Sequence, residues 1–299
     1  MRNWSLPPRI PGAHGEQAGV QREHSTSACR AAPCRGGGGC RTASSPNVVA
    51  GRDGCGETDG VGTDGTRERF QTLGLSREGR PVQGRLYPGG PEKTPPPRRH
   101  RLLVFGGIHG DEPASVDAVL EWGACLDAHP HAADVWLVPA VNPDGLAAAR
   151  KNNAADIDLN RNFPARNFMR SHPPGYDPGP APLSEPETGL LAGLIEEAGI
   201  DAMVAVHAPF ACVNFDGPAQ EWAAAVATAS GWPLRADLGY PTPGSLGSWW
   251  GGDLGRPILT LELPAGPLDF FRAQALAALD RALDWWNPVG ASMNLRGIG

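Results

Sequence analysis

This 299-residue chain has no apolar run of membrane-spanning length, and its first 30 residues lack the apolar stretch and small-residue cleavage site of a secretory leader. A cytoplasmic protein without a membrane partner is therefore expected. A basic stripe is missing too. Net charge is −6 and the densest cationic cluster is Arg98-Arg99-His100-Arg101, so nucleic acid is not expected as a partner. Cysteine is scarce where it would matter. Of six, Cys29, Cys34, Cys40 and Cys55 sit near the start without any Cys-x-x-Cys pair, which leaves Cys125 and Cys212 and no disulfide framework. Large apolar residues are sparse at the start: residues 1–66 hold eight of them against 18 glycines and prolines. So little apolar surface cannot offset chain entropy, and a disordered low-complexity extension is expected there. Residues 67–290 remain for one domain with a sizeable core, and 291–299 for a short tail.

What is present alternates. Short β-like runs fall at 81–87, 102–106, 135–141, 202–207 and 258–263. Helical patterns lie at 113–126, 184–198, 221–230 and 268–286, the second opening with a capping box of Ser184 and Glu187. Strands alternating with helices of this length predict an α/β fold, a three-layer α/β/α sandwich. Ligands of such sheets bind at the carboxyl ends of strands, and His109, Asn142, His207 and Glu262 all stand near predicted strand ends. Two stretches remain irregular: a Pro/Gly-rich surface loop at 88–97, and 165–182, long enough to wall a cleft.

The chemistry starts at Gly106-Gly107-Ile108-His109-Gly110-Asp111-Glu112. An imidazole and a carboxylate three residues apart on a strand-to-helix turn can chelate one Zn²⁺. Eight His and 14 Glu give about 0.4 such pairs by chance, so the motif needs context. Asn142-Pro143-Asp144-Gly145 follows the next apolar run, then Asp158-Leu159-Asn160-Arg161-Asn162-Phe163-Pro164 and Ser184-Glu185-Pro186-Glu187-Thr188. His207 ends an apolar segment in His207-x-Pro-x-Ala-Cys212. Gly239-Tyr240-x-Thr-Pro-Gly-Ser-x-Gly-Ser-Trp249 comes next, and Glu262 sits inside a strand-like run with Leu261, Leu263 and Pro264 around it. A carboxylate buried there is costly unless paired, for instance with Arg256, or used.

In that order these blocks resemble the zinc carboxypeptidase superfamily, and within it the compact bacterial murein peptide amidases. The likeness starts near Gly74-x-Ser76-x-x-Gly79-Arg80-Pro81 and runs to about residue 287. It implies a mixed central sheet and one zinc per chain held by His109, Glu112 and His207. Asp111 is expected to orient His109 or cap the following helix. The resemblance makes Glu262 the general base that takes a proton from water and passes it to the leaving amine. Asn160 and Arg161 would hold a substrate carboxylate, the planar guanidinium matching it bidentately; otherwise Asp158 and Arg161 form a surface ion pair. A cation polarising the scissile carbonyl is expected upstream, Arg150 being chosen although Lys151 fits better without a gap. Tyr240 would donate its phenol to substrate, or else brace a Pro-rich turn. Leu246 and Gly247 put no acid at the centre of the 245–249 specificity segment, which disfavours a pocket for basic side chains.

The implied function is zinc-dependent hydrolysis of the γ-D-glutamyl–meso-diaminopimelate bond of murein peptides in cell-wall recycling, with a small peptide such as the murein tripeptide as substrate. Two alternatives stay open: a general zinc carboxypeptidase releasing C-terminal amino acids, and an N-acyl amino acid deacylase of the aspartoacylase or succinylglutamate desuccinylase type, which shares Gly-x-His-Gly-x-Glu. A catalytically dead binding module on the same fold would be expected to lack a ligand or the base. The oligomeric state is open, a homodimer included.

Overall fold

The computed structural model describes residues 70–90, 98–128 and 131–286. The expected N-terminal extension with its four cysteines, most of the 88–97 loop and the C-terminal tail lie outside the described residues. Eight strands form one mixed sheet in the order β1-β2-β4-β3-β5-β8-β6-β7. Its centre is four parallel strands: β4 (Asp134–Val138), β3 (Arg101–Phe105), β5 (Ala202–His207) and β8 (Ile258–Pro264). Each reads as a nearly continuous apolar run because both faces are covered. β2 (Pro81–Tyr87) closes one side antiparallel to β4, and β1 (Gln71–Leu75) pairs with it. On the other side β6 (Phe210–Asp216) runs antiparallel to β8 and carries the two-residue β7 (Leu234–Arg235).

Alternation sends side chains of one strand into two separate cores. Val204 and Val206 of β5 and Leu259 and Leu261 of β8 pack with Trp122 and Trp222 on one face. The helices there are α1 (Pro113–Leu126), α4 (Gln220–Ser230) and α5 (Arg272–Asp284). Met203 and Ala205 of β5 and Ile258 of β8 pack with Leu159, Phe163, Leu191 and Trp250 on the other. There stand α3 (Pro186–Ala198) and a π-helical turn, Gly247–Asp253. The architecture is the expected α/β/α sandwich with a mixed sheet. His207 and Glu262 fall on the second face, and β5 and β8 align them directly across the ladder.

Three local expectations change. The capping box does not form: Ser184 Oγ donates to Glu185 Oε1 at 3.0 Å, while Glu187 turns inward to the Arg77 N–H at 3.1 Å and Asn153 Nδ2 at 3.3 Å. The 268–286 helix breaks after a 3₁₀ turn, Leu268–Phe270, because Phe271 adopts φ −141°. The 135–141 run stops at Val138 because Pro139 follows, and the freed Val141 N–H bonds to Gly106 O at 3.1 Å.

Candidate metal centre

Two turns build the floor of the site, one after β3 and one after β4. A Cβ on Gly110 would lie 1.9 Å from the carbonyl carbon of Gly145, so the two backbones meet where only glycine fits. The second turn opens α2 (Pro143–Ala147), capped by Asn142, whose Oδ1 accepts from Gly145 N–H at 2.8 Å. Asn142 Nδ2 and Gly110 N–H both donate to Lys151 O, at 3.2 and 3.1 Å. Asn142 is fully buried and absent from the cleft lining; its work is structural.

His109, Glu112 and His207 converge, with one donor atom of each within 4.8 Å of the others. The Nδ1 atoms of His109 and His207 lie 2.8 and 3.2 Å from the two carboxylate oxygens of Glu112. Two imidazoles and a carboxylate at such spacing are the donor set of an open zinc site. Burial would raise the Glu112 pKa, but His207 and then His109 outweigh it and hold the carboxyl down at about 2. For His109, burial works against the charged ring, yet hydrogen bonds to Asp158 and Glu112 bring its pKa up to about 9.

Asp158, not Asp111, orients His109. Its Oδ1 lies 3.2 Å from His109 Nε2, whereas Asp111 is exposed at the rim of the cleft and the helix cap at Glu112 has no side-chain bond. Asp158 is wholly buried. It accepts from Asn160 N–H at 2.9 Å and from Lys151 Nζ at 2.6 Å. Burial pushes its pKa up, but the His109 hydrogen bond and charge hold it below the usual carboxylate range. The expected alternative of a surface Asp158–Arg161 ion pair is not what forms.

Glu262 is 3 % exposed, and its Oε2 has no hydrogen-bond partner among the described residues. Burial raises its pKa. The salt bridge to Arg256 is absent; that guanidinium lies 4.7 Å over the Trp250 ring. A buried acceptor left open beside a metal-type donor cluster calls for an explanation other than packing.

His109, Glu112, His207 and Glu262 line one cleft of about 810 Å³ together with Asn160, Arg161 and Tyr240. Asn160 Oδ1 accepts from Leu246 N–H at 3.1 Å, and Arg161, 6 % exposed, donates from NH1 to Asn160 O at 2.7 Å. Tyr240 faces Phe210 with ring centroids 6.1 Å apart. Arg150 is a correction: its NH2 donates to Asn153 O at 2.6 Å, and it is not among the cleft-lining residues. Lys151, one of two lysines in the chain, lines the cleft instead, its Nζ 3.6 Å from the ring centre of Tyr176. Tyr176 belongs to the 165–182 stretch, which forms neither helix nor strand among its residues and supplies one wall.

The specificity segment also departs from expectation. Leu246 is buried in the core, whereas Ser245 and Gly247 face the cleft. An acid is present after all: Asp216, from β6, lines the same cavity. Sequence reasoning missed it because β6 itself was not read as a strand. Asp158 and Lys151 had a readable signal in the Asp-Leu-Asn-Arg block and its ungapped upstream spacing.

Comparison with known proteins gives likenesses in family, sequence and structure. Residues 63–220 match the zinc carboxypeptidase family model. The chain is 35 % identical over 206 residues to murein peptide amidase A of Escherichia coli strain K12, covering 64 % of this chain and 83 % of that one. The crystal structure of the murein-tripeptide amidase from Escherichia coli O157 superposes with a TM-score of 0.57 at 30 % identity, covering 73 % of this chain and 91 % of that one.

Proposed function

Because the chain belongs to the zinc carboxypeptidase family and is a hydrolase, we propose that it is a murein peptide amidase, cutting the γ-D-glutamyl–meso-diaminopimelate bond during cell-wall recycling in the cytoplasm. The observation that carries this reading is one cleft holding a His₂Glu donor set, a buried carboxylate with one oxygen open, and two cations. Similarity to amidases named for murein peptides supplies the substrate class.

His109, Glu112 and His207 would hold one zinc per chain, which supplies Lewis acidity and makes a water acidic enough to give up its proton. Glu262 takes that proton at its open Oε2 and delivers it to the leaving nitrogen. Lys151 takes the place expected of Arg150. Its ammonium, fixed by Asp158, faces charge developing on the scissile carbonyl. Arg161 and Asn160 hold the carboxylate of the leaving residue, and Tyr240 donates to the peptide from the opposite wall.

The test is a panel of murein tripeptide, N-acyl amino acids and ordinary C-terminal peptides, each with and without chelator. Chelator-sensitive cleavage of the tripeptide far faster than the others is expected. Preference for ordinary peptides would replace the amidase reading with a general carboxypeptidase, and turnover confined to N-acyl amino acids with a deacylase.

A further inference from the structure

Lysine is a demanding choice for a cation that must point one way. Its ammonium is a compact charge on a flexible stem with rotatable donors, whereas a planar guanidinium is already formed as a fork. The Lys151 side chain is 27 % exposed, so packing alone does not immobilise it. Asp158 Oδ2, 2.6 Å from Nζ, fixes one N–H and leaves the others to be directed.

The 165–182 wall directs them. Gly175 O lies 3.5 Å from Nζ, and Nζ stands 3.6 Å over the ring centre of Tyr176. An ammonium at that distance is attracted by the negative face of the ring. The wall is itself tied down on both sides of that ring. Tyr176 N–H donates to Pro173 O at 3.2 Å, Asp158 N–H to Asp177 O at 2.8 Å, and Asn162 Nδ2 to Pro178 O at 2.7 Å. Asp158 thus holds the ammonium with its carboxylate and the wall with its main chain, which fixes one against the other. Arg161 Cζ lies 5.3 Å from the same ring centre, so Tyr176 faces both cations of the cleft.

We propose that Tyr176 is a positioning residue for Lys151. Its ring keeps the ammonium aimed into the cleft, where a substrate carbonyl oxygen takes over the N–H now turned to Gly175 O, a contact weak at its length. The proposal rests on the reading that Lys151 faces charge developing on that oxygen. Tyr176 touches no reacting atom. An interaction that matters when charge develops, and little before, falls on kcat and not on KM.

The experiment uses full-length, zinc-loaded protein and whichever peptide of the panel is cleaved. Y176L keeps apolar bulk but removes the π face, and should lower kcat roughly three- to thirtyfold with KM held within about threefold. Y176F keeps the face and should return most of kcat. In K151M there is no ammonium to hold, so adding Y176L should cost less than about twofold further. A lost packing contact would cost the same in either background. The chain has two lysines, Lys93 and Lys151, which gives a readout independent of turnover. In ¹³C-lysine-labelled protein, the signal that K151M removes should show ε-methylene protons shifted upfield by the ring. That shift should survive Y176F and vanish in Y176L. An unshifted Lys151 signal in the wild type, or equal losses from Y176L with and without Lys151, overturns the proposal. If no peptide is cleaved, the hydrolytic reading falls, and the Lys151 signal alone decides whether Tyr176 holds the ammonium. If cleavage is chelator-sensitive but kcat ignores Y176L, hydrolysis stands and the role of Tyr176 falls.

Discussion

The molecule buries carboxylates in two regions and treats them in opposite ways. Beneath β1 and β2, Asp144, Glu185 and Glu187 are each at most 2 % exposed, and every one is answered. Asp144 accepts from Ser76 Oγ at 2.7 Å, from the Glu78 N–H at 2.9 Å and from Arg80 NH1 at 2.8 Å. Glu185 accepts from Arg77 Nε at 3.1 Å and Asn153 Nδ2 at 2.8 Å, the amide it shares with Glu187. On the sheet face, buried Glu262 and half-buried Asp216 form no ion pair among the described residues, and Glu262 Oε2 has no hydrogen-bond partner among them. Burying a charge is costly in both places. The first region offsets that cost within the chain, fully at Asp144 and only in part at Glu187; the second leaves it to be offset by what binds. Depth of burial thus says little about a carboxylate's role, and the count of its partners says much.

Substitution in each region should separate activity from stability. The largest expected effect is at Glu262: E262Q should lower turnover by roughly 10²–10⁴-fold while zinc content and melting temperature hold or rise. Near-normal turnover would mean another group moves the proton. Next comes R161A, which should cost about 2–5 kcal/mol in transition-state binding, read chiefly in kcat/KM on the tripeptide. Loss confined to melting temperature would make Arg161 a packing residue.

The paired region should behave the other way. D144N removes acceptor capacity facing three donors and should lower unfolding free energy by about 1–3 kcal/mol at neutral pH, with metal content kept. Burial would raise the Asp144 pKa, but Ser76 and Arg80 hold it below the usual carboxylate value. Its contribution is therefore present above the unfolded pKa and lost as pH falls through the folded one, so the gap between wild type and D144N should close in acid. Urea titrations across that range read the gap. The smallest effect is at Glu187, whose pKa burial raises despite the Arg77 N–H and Asn153. The folded chain holds that proton more tightly than the unfolded one. Stability from Glu187 is thus greatest below the unfolded pKa and declines as pH rises through the folded value. E187Q should match or exceed wild type by under about 1 kcal/mol at neutral pH. A larger loss would place Glu187 with Asp144 as a carboxylate the fold needs charged.

The parallel strands were legible because burial on both faces writes them as nearly continuous apolar runs, broken in 202–207 only by His207 and in 258–263 only by Thr260 and Glu262. β6 was not: Phe210-Ala211-Cys212-Val213-Asn214-Phe215-Asp216 mixes a sheet-core residue, a strand partner of the base and three cleft residues, so no continuous apolar run marks it. With the strand went its alternation, and with that Asp216. Among the metal donors His109 and His207 stood out as polar residues just after apolar runs, and Glu112 by its spacing of three from His109. Arg150 and Lys151 are neighbours, and only the close fold of the 142–153 turn decides which faces inward. Ser184 and Glu187 had a local pattern that pointed to a cap, but Arg77 and Asn153, distant in sequence, recruited Glu187 instead.

The contact between Gly110 and Gly145 has a consequence for how such a chain can change over generations. Each residue lies inside a different motif, 35 positions apart, yet a Cβ on Gly110 would strike the Gly145 backbone, and one on Gly145 would lie 2.3 Å from Asn142 Nδ2. A side chain at Gly110 would displace the turn that carries Asn142, and through Lys151 O the cation beside Asp158. A substitution at Gly110 is thus felt in the Asn-Pro-Asp-Gly turn as well as in its own, so at this contact the two motifs are not free to vary independently.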